Sequence, residues 1–224
     1  MSEKPPTARD ATVATWMHAL SESSGSPGGG AGAGVMLAIA ASLTSMVAGY
    51  SRARDGEESA LADVLSRSRQ LREDALDLAD ADSGASLAFG AAFALPRGRE
   101  RSSAIREASV AAARTSASVG LHAVGAVDDL ARLARHGNPT LVADVVVACG
   151  ALRAAVAGAR TNVSFDLGSL TSAGESLDEV REANPSLWDS VAAFDAAIAR
   201  IDRLTASLDA RAAPTDAEIG RAHV

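Results

Sequence analysis

Residues 26–50 read SPGGGAGAGVMLAIAASLTSMVAGY. Pro27 opens the stretch, Gly28, Gly29 and Gly30 follow, and no charged residue occurs as far as Tyr50. Adjacent glycines let the backbone turn sharply and let other groups approach it closely. The run behind them is rich in Ala, Ser and Gly, with Met36, Leu37, Ile39, Leu43, Met46 and Val47 supplying bulk. Apolar residues fall on every side of such a helix, which predicts a central helix buried all round. Its free N–H groups and positive dipole end, at the glycines, suit an anion. The glycines do not form a nucleotide fingerprint. No Gly-Lys-Ser/Thr closes a phosphate loop, and Ala33 stands where the dinucleotide pattern needs its third glycine. The stretch reads either as a tight turn with close helix packing or as a backbone wall for a ligand.

The rest of the chain supports a helical reading. It has 224 residues, with no linker dividing it, which points to one domain. The aromatic fraction is only 3% of residues, so alanine carries much of the 47% apolar content. Strand-type alternation of Val, Ile and Tyr is absent. Together these predict an all-α fold. The periodicity predicts a first helix capped by Asp10 and carrying Val13, Trp16, Met17 and Leu20. A long helix runs from Glu57 to Leu95 and stops at Pro96. Another spans about 102–135, and one from Pro139 to about Asn162 follows Gly137. Residues 168–174 read as a loop, and a last helical region breaks near Asn184-Pro185 before a stripe from Trp188 to Leu208. Residues 1–8 read as a disordered tail, 9–212 as the domain, and 213–224 as a polar tail. The small-residue helices leave apolar surface for a second copy, so a homodimer is expected.

Several functions are disfavoured. A net charge of −7 argues against a nucleic-acid binder, and an anionic ligand would have to meet local Arg. The single cysteine, Cys149, allows no intrachain disulfide and reads as buried and inert in its apolar helix. The histidines show no metal-ligand spacing, so no metal is expected. The N-terminus lacks an apolar signal core, which points to a cytoplasmic protein. Residues 34–50 are the one membrane candidate, but Ser42, Thr44, Ser45 and Gly49 dilute them, and a buried central helix is the better reading.

Asp80-Ala81-Asp82 lies within the long helix. Positions two apart on a helix cannot share a face, so one acid points inward when the other points to solvent. An inward carboxyl in an apolar bundle is costly unless partnered or protonated, and such a group suits general acid/base work. Spacing by itself favours a solvated acidic face like that of Glu73, Asp74 and Asp77.

Taken in order, the motifs resemble the cyclodeaminase/cyclohydrolase family, which includes the cyclodeaminase domain of formiminotransferase-cyclodeaminase and methenyltetrahydrofolate cyclohydrolases. Pro27-Gly28-Gly29-Gly30 leads the Ala-rich helix, and Leu78-Ala79-Asp80-Ala81-Asp82-Ser83-Gly84-Ala85 resembles the family's L-x-D/E-x-D-x-x-A. Leu95-Pro96-Arg97 resembles its Leu-Pro-Lys, and Gly137-Asn138 with Ala143-Asp144 and Ala148 resembles its G-N-x(4)-S-D-x(3)-A. Residues 158–163 with Leu167 resemble its G-A-x-x-N-V-x-x-N-L. Departures are Ala31-Gly32 after the glycines, the 51–56 stretch, Asp166 for the second Asn, and Ser116 for a proline.

The resemblance implies a multihelical up-and-down bundle acting as a dimer. It also implies an enzyme that opens or closes a C–N bond at the one-carbon amidine bridge of a tetrahydrofolate-like substrate, as a cyclohydrolase or a cyclodeaminase. Neither reaction calls for a cofactor. Asp82 is the implied acid/base group. Asn138, Asp144 and Asn162 would orient the substrate, with Gly28, Gly29, Gly30 and Asp166 around it, and Arg97, Arg52 and Arg54 would meet its carboxylates. The altered 51–56 stretch and Asp166 keep open a non-folate amidine or imine substrate. A non-catalytic helical scaffold is the remaining alternative.

Overall fold

The computed structural model describes residues 6–23, 25–53, 56–172 and 174–212. The described residues form seven α-helices and a single 3₁₀ turn, with no strand. The helices are α1 (Val13–Ser21), α2 (Gly29–Tyr50), α3 (Glu58–Ala94), α4 (Arg99–His136), α5 (Val142–Ser172), α6 (Leu177–Ala183) and α7 (Pro185–Ala212), and the turn is Pro139–Leu141.

Helices α2 to α5 make an up-down-up-down four-helix arrangement, and α7 lies against α4 and α5. Cross-helix contacts fix the directions. Gly34 near the start of α2 meets Ala79 in the second half of α3. Arg67 early in α3 donates to Asp129 late in α4, at 2.7 Å. Ser109 early in α4 and Ser169 late in α5 are 2.6 Å apart through their hydroxyls.

Small side chains set how close these helices come. A Cβ on Gly34 would lie 2.8 Å from the Ala79 Cβ, inside any normal contact. On α4, a Cβ at Gly120 would lie 2.3 Å from the Phe194 ring of α7, so the glycine makes the socket for this fully buried phenylalanine. The core is correspondingly rich in alanine, filled out by Leu37, Leu130, Leu152, Phe194 and Ile201.

Several boundaries differ from the sequence reading. Thr12, not Asp10, caps α1 by accepting from the Thr15 N–H at 3.1 Å. Helix α5 continues through 168–172, because Leu167 and Leu170 keep the buried stripe going past the glycine at 168. The chain enters α5 through the 3₁₀ turn, with Asn138 as its cap. The break at Asn184 is real, and a Ser176/Glu179 capping box starts the short α6 before it.

Helix α2 is not buried all round: Met36 and Ile39 are each 40% exposed. A second stretch, Pro139–Thr171, is also long and apolar enough to cross a membrane, alongside Gly29–Tyr50. Within the fold, 56% of the apolar window of Gly29–Tyr50 and 39% of that of Pro139–Thr171 are buried.

The tail assigned to 1–8 also needs correcting for residues 6–8, since the Ala8 N–H donates to Asp80 Oδ1 at 2.6 Å. Residues 1–5 and 213–224 lie outside the described residues, as does Arg54.

Candidate functional site

Three helices each send an i, i+4 pair into one cleft of about 200 Å³: Asp82 and Ser86 from α3, Ala112 and Ser116 from α4, and Asn162 and Asp166 from α5. Phe89 of α3 and the backbone of Gly29 and Gly30 complete the lining. The pairing follows from helical geometry, because residues four apart stack on one face.

Asp82 is 5% exposed and sits against the start of α2. A Cβ on Gly30 would fall 2.1 Å from its Oδ1, so this approach requires glycine. Helix α2 has Gly28 as its N-cap residue and so no side-chain cap of its own. Asp82 makes up for this from the neighbouring helix by accepting the Ala31 N–H. It thereby satisfies one of the four N–H groups left over at any helix start. The Ser86 hydroxyl stands 3.5 Å from Asp82 Oδ2, at the outer limit of a hydrogen bond.

Burial raises the Asp82 carboxyl above the ordinary aspartate range, and the Ala31 and Ser86 donors pull the other way. Asp166 is half-buried. Burial first, and then the charge of Asp82, push it up to about 7. The two acids are therefore coupled, and around neutral pH the pair loses its second proton.

The other acid of the motif has a different task. Asp80 accepts from the Ala8 N–H, while Arg9 bridges Glu73 at 2.6 Å and Asp77 at 2.7 Å. The acidic face of α3 is thus not simply solvated: it holds the segment leading into α1. Trp16 of α1 is buried against Ala31 and Ala79, next to the Asp82 contact.

Of the residues singled out in the sequence, the structure brings together Gly29, Gly30, Asp82, Asn162 and Asp166. Gly28 is the extended residue before α2 and does not line the cleft. Arg97 lies exposed in the turn between α3 and α4, and Asp144 is half-buried in the first turn of α5.

Arg52 and Asn138 belong to a second cleft of about 460 Å³, shared with Tyr50, His136, Gly137 and Pro139. That cleft is at the far end of α2, which spans 22 residues, or about 33 Å. The Asn138 side chain there accepts from the Thr140 N–H at 3.0 Å and donates to the Tyr50 carbonyl at 3.3 Å. Within the chain it holds this turn and does not reach the cleft of Asp82.

Ser86, Phe89 and Ala112 line the cleft without having been singled out in the sequence, whereas Ser116, a departure from the family pattern, was. The first two are four and seven positions beyond Asp82, so helical spacing alone could have found them. A separate, mostly apolar cavity of about 330 Å³ lies between α5, α6 and α7 beside Trp188, and contains none of the expected residues.

The sequence model of the formiminotransferase-cyclodeaminase family matches residues 12–183. The chain belongs to that family. Among solved structures, a formiminotetrahydrofolate cyclodeaminase from Thermotoga maritima superposes with a TM-score of 0.72 at 22% identity, covering 89% of this chain and 98% of that one. At this identity the likeness bears on the fold, and it agrees with the all-α bundle. No curated protein matches the chain in sequence. The matched range includes the glycine start of α2, both acids of the cleft and Asn162, so the cleft lies wholly within the family region.

Proposed function

We propose that the chain is an enzyme acting on the one-carbon amidine bridge of a tetrahydrofolate-like molecule, either hydrolysing a methenyl bridge or expelling ammonia from a formimino group. The observation that carries this reading is the buried Asp82 in a cleft with a second carboxyl whose proton is exchangeable near neutral pH. Family membership and the named activity of the Thermotoga relative support it.

Both reactions move protons between oxygen and nitrogen atoms on one carbon. In hydrolysis, Asp82 takes a proton from water as the oxygen bonds to the methenyl carbon. The pair returns a proton to the ring nitrogen as the C–N bond breaks, leaving the formyl derivative and releasing one proton overall. In deamination, the neighbouring secondary amine bonds to the formimino carbon already held on the ring nitrogen and gives its proton to the pair, and the imino nitrogen takes that proton and one more from solvent as its bond to the carbon breaks and ammonia leaves. A shared proton near pH 7 serves both directions, because an acid/base group works best with a pKa close to the working pH. Asn162 offers both a donor and an acceptor to hold the reacting group. Phe89 gives a face for a planar ring. Arg97 is the cation on the turn beyond Phe89 and is available to a substrate tail. Arg52 is too remote along α2 to touch the same group within one chain.

The test is spectroscopic. Methenyltetrahydrofolate added to purified protein should lose its near-ultraviolet band faster than in buffer, or formiminotetrahydrofolate should gain that band with release of ammonia. Protein that accelerates neither would refute the reading. Among the described residues no cation lines the cleft, which favours, as a second reading, a smaller non-folate amidine without a carboxylate tail.

A further inference from the structure

We propose that the cleft is completed by a second copy of this chain, paired through the outer faces of α2 and α5 about a two-fold axis, so that Arg52 of the partner subunit stands at the cleft mouth. This rests on reading the cleft as the active site, and it adds a cation for an anionic substrate tail that one chain does not bring there.

The walls of the cleft are α3 and α5, and its floor is Ala112 and Ser116 of α4. Helix α2 starts at Gly29, while α3 runs on past Asp82 to Ala94 and α5 past Asn162 to Ser172. The cleft therefore lies on the prolongation of α2 and opens away from α4. That is also the side on which α2 is uncovered, since α2 packs mainly on α3 and α5. Met36 and Ile39 are exposed there, and so is Val147 on the neighbouring α5. A Cβ on Gly32 would meet nothing within 4 Å, so this position of α2 is open as well. A continuous apolar face of this kind marks a contact surface.

The register selects a second copy. Ile39 is at the middle of α2. At about 1.5 Å per residue, Gly29 lies about 15 Å from Ile39 one way and Arg52 about 20 Å the other. A two-fold axis at Ile39 runs the two α2 helices antiparallel. Met36 then meets the partner's Leu43, and the partner's Arg52 falls just beyond Gly29, over the cleft. Packed helices are about 8–10 Å apart, a gap that an arginine side chain crosses. No charged residue occurs in α2, so nothing on it opposes this pairing.

The charges agree with the register. Among the described residues, the cleft holds Asp82 and Asp166 and no cation. The other end of the same face carries exposed Arg52 beside His136, and among the described residues no ion pair holds Arg52. The two-fold axis sets each end against the other, twice per dimer, and such complementarity directs association. A guanidinium at the mouth matches a carboxylate in bidentate fashion.

The register is tested with full-length chains carrying Gly29→Cys or Arg52→Cys, co-expressed with different tags and oxidised mildly. Within one chain the two positions are about 33 Å apart, whereas a disulfide needs Cα atoms within about 7 Å. The pair should therefore give a reducible dimer of twice 22.6 kDa, and neither variant alone should. Circular dichroism checks folding, and Ile39→Cys, which should link to itself at the axis, repeats the test if the Gly29 variant is unfolded. The shared site is tested by turnover of methenyltetrahydrofolate. Arg52→Gln should raise KM about 10-fold or more, with partial recovery in Arg52→Lys. A purified hybrid of one Asp82→Asn chain and one Arg52→Gln chain has one intact site, and should recover about half the wild-type kcat/KM. No linked dimer from folded variants, an unchanged KM in Arg52→Gln, or a hybrid no more active than its parents would overturn the inference. Linkage in protein that turns over no folate refutes the proposed reaction and upholds the pairing. Turnover with neither linkage nor recovery in the hybrid does the reverse.

Discussion

Replacing Asp166 by Asn should make the protein more stable at pH 8 and leave it unchanged at pH 4. An aspartate moved from its ordinary 3.8 to about 7 in the fold favours folding only while it is protonated. That contribution is complete below the unfolded-chain value and is lost as pH rises from about 4 through about 7. The full shift corresponds to about 4 kcal/mol, at about 1.4 kcal/mol per pH unit. Asp166 is only half-buried and its cleft opens to solvent, so screening reduces the usable figure to about 1–2 kcal/mol. Asn keeps the shape of the protonated acid and cannot ionise, so the variant should escape the loss. In a chain of this size that is a melting-temperature gain of roughly 2–8 °C at pH 8. Melting both proteins from pH 4 to pH 8 and taking the difference at each pH cancels the titrating groups that do not interact with Asp166, leaving Asp166 and its effect on Asp82. A difference that stays flat with pH, or a variant less stable than wild type at pH 8, would show that Asp166 is not held protonated by its surroundings.

Asp82→Asn should lower turnover by about 100-fold or more while Asp80→Asn, which can still accept from the Ala8 N–H, should keep most of it. Steady-state assays of the two variants side by side decide this. Gly30→Ala should push the Asp82 carboxyl away and cost about 1–3 kcal/mol in denaturant unfolding. Gly29→Val, with nothing within 4 Å of its added Cβ, should leave stability nearly intact and weaken ligand binding instead. The exposed Met36, Ile39 and Val147 on α2 and α5 should form a homodimer face. Light scattering should give twice 22.6 kDa for wild type and a smaller mass for a Met36→Glu/Ile39→Glu variant.

The parts of this fold readable from sequence were those set by strong local signals. Pro96, Gly137 and Asn184-Pro185 mark three of the interruptions, because proline and a C-terminal glycine act on their own backbone. The end of α5 was misread because the glycine at 168 looked like a breaker, whereas buried Leu167 and Leu170 outweigh its propensity. At the site, residues on one helix could be grouped by spacing: Asp82 with Ser86 and Phe89, or Asn162 with Asp166. Which helices share a cleft depends on packing between elements far apart in sequence, so it was legible only through the family resemblance, which grouped Gly29, Gly30, Asp82, Asn162 and Asp166. The same resemblance grouped Arg52 and Asn138 with them, and these lie at the opposite end of α2. The Ala8–Asp80 hydrogen bond, across 72 positions, left no local trace either.

The contact between Gly34 and Ala79 has a consequence for precision. It lies one helical turn from the place where Gly30 meets Asp82, on the same two helices. Long side chains usually meet between helices and can change rotamer to absorb a shift. Here main chain meets a methyl group, and there is no torsion left to adjust. The contact therefore works as a mechanical stop, setting the spacing of the two rods on which the carboxylate and its N–H partner are mounted. Lengthening either side chain at that stop would be felt as a misalignment of the acid itself, though neither residue lines the cleft.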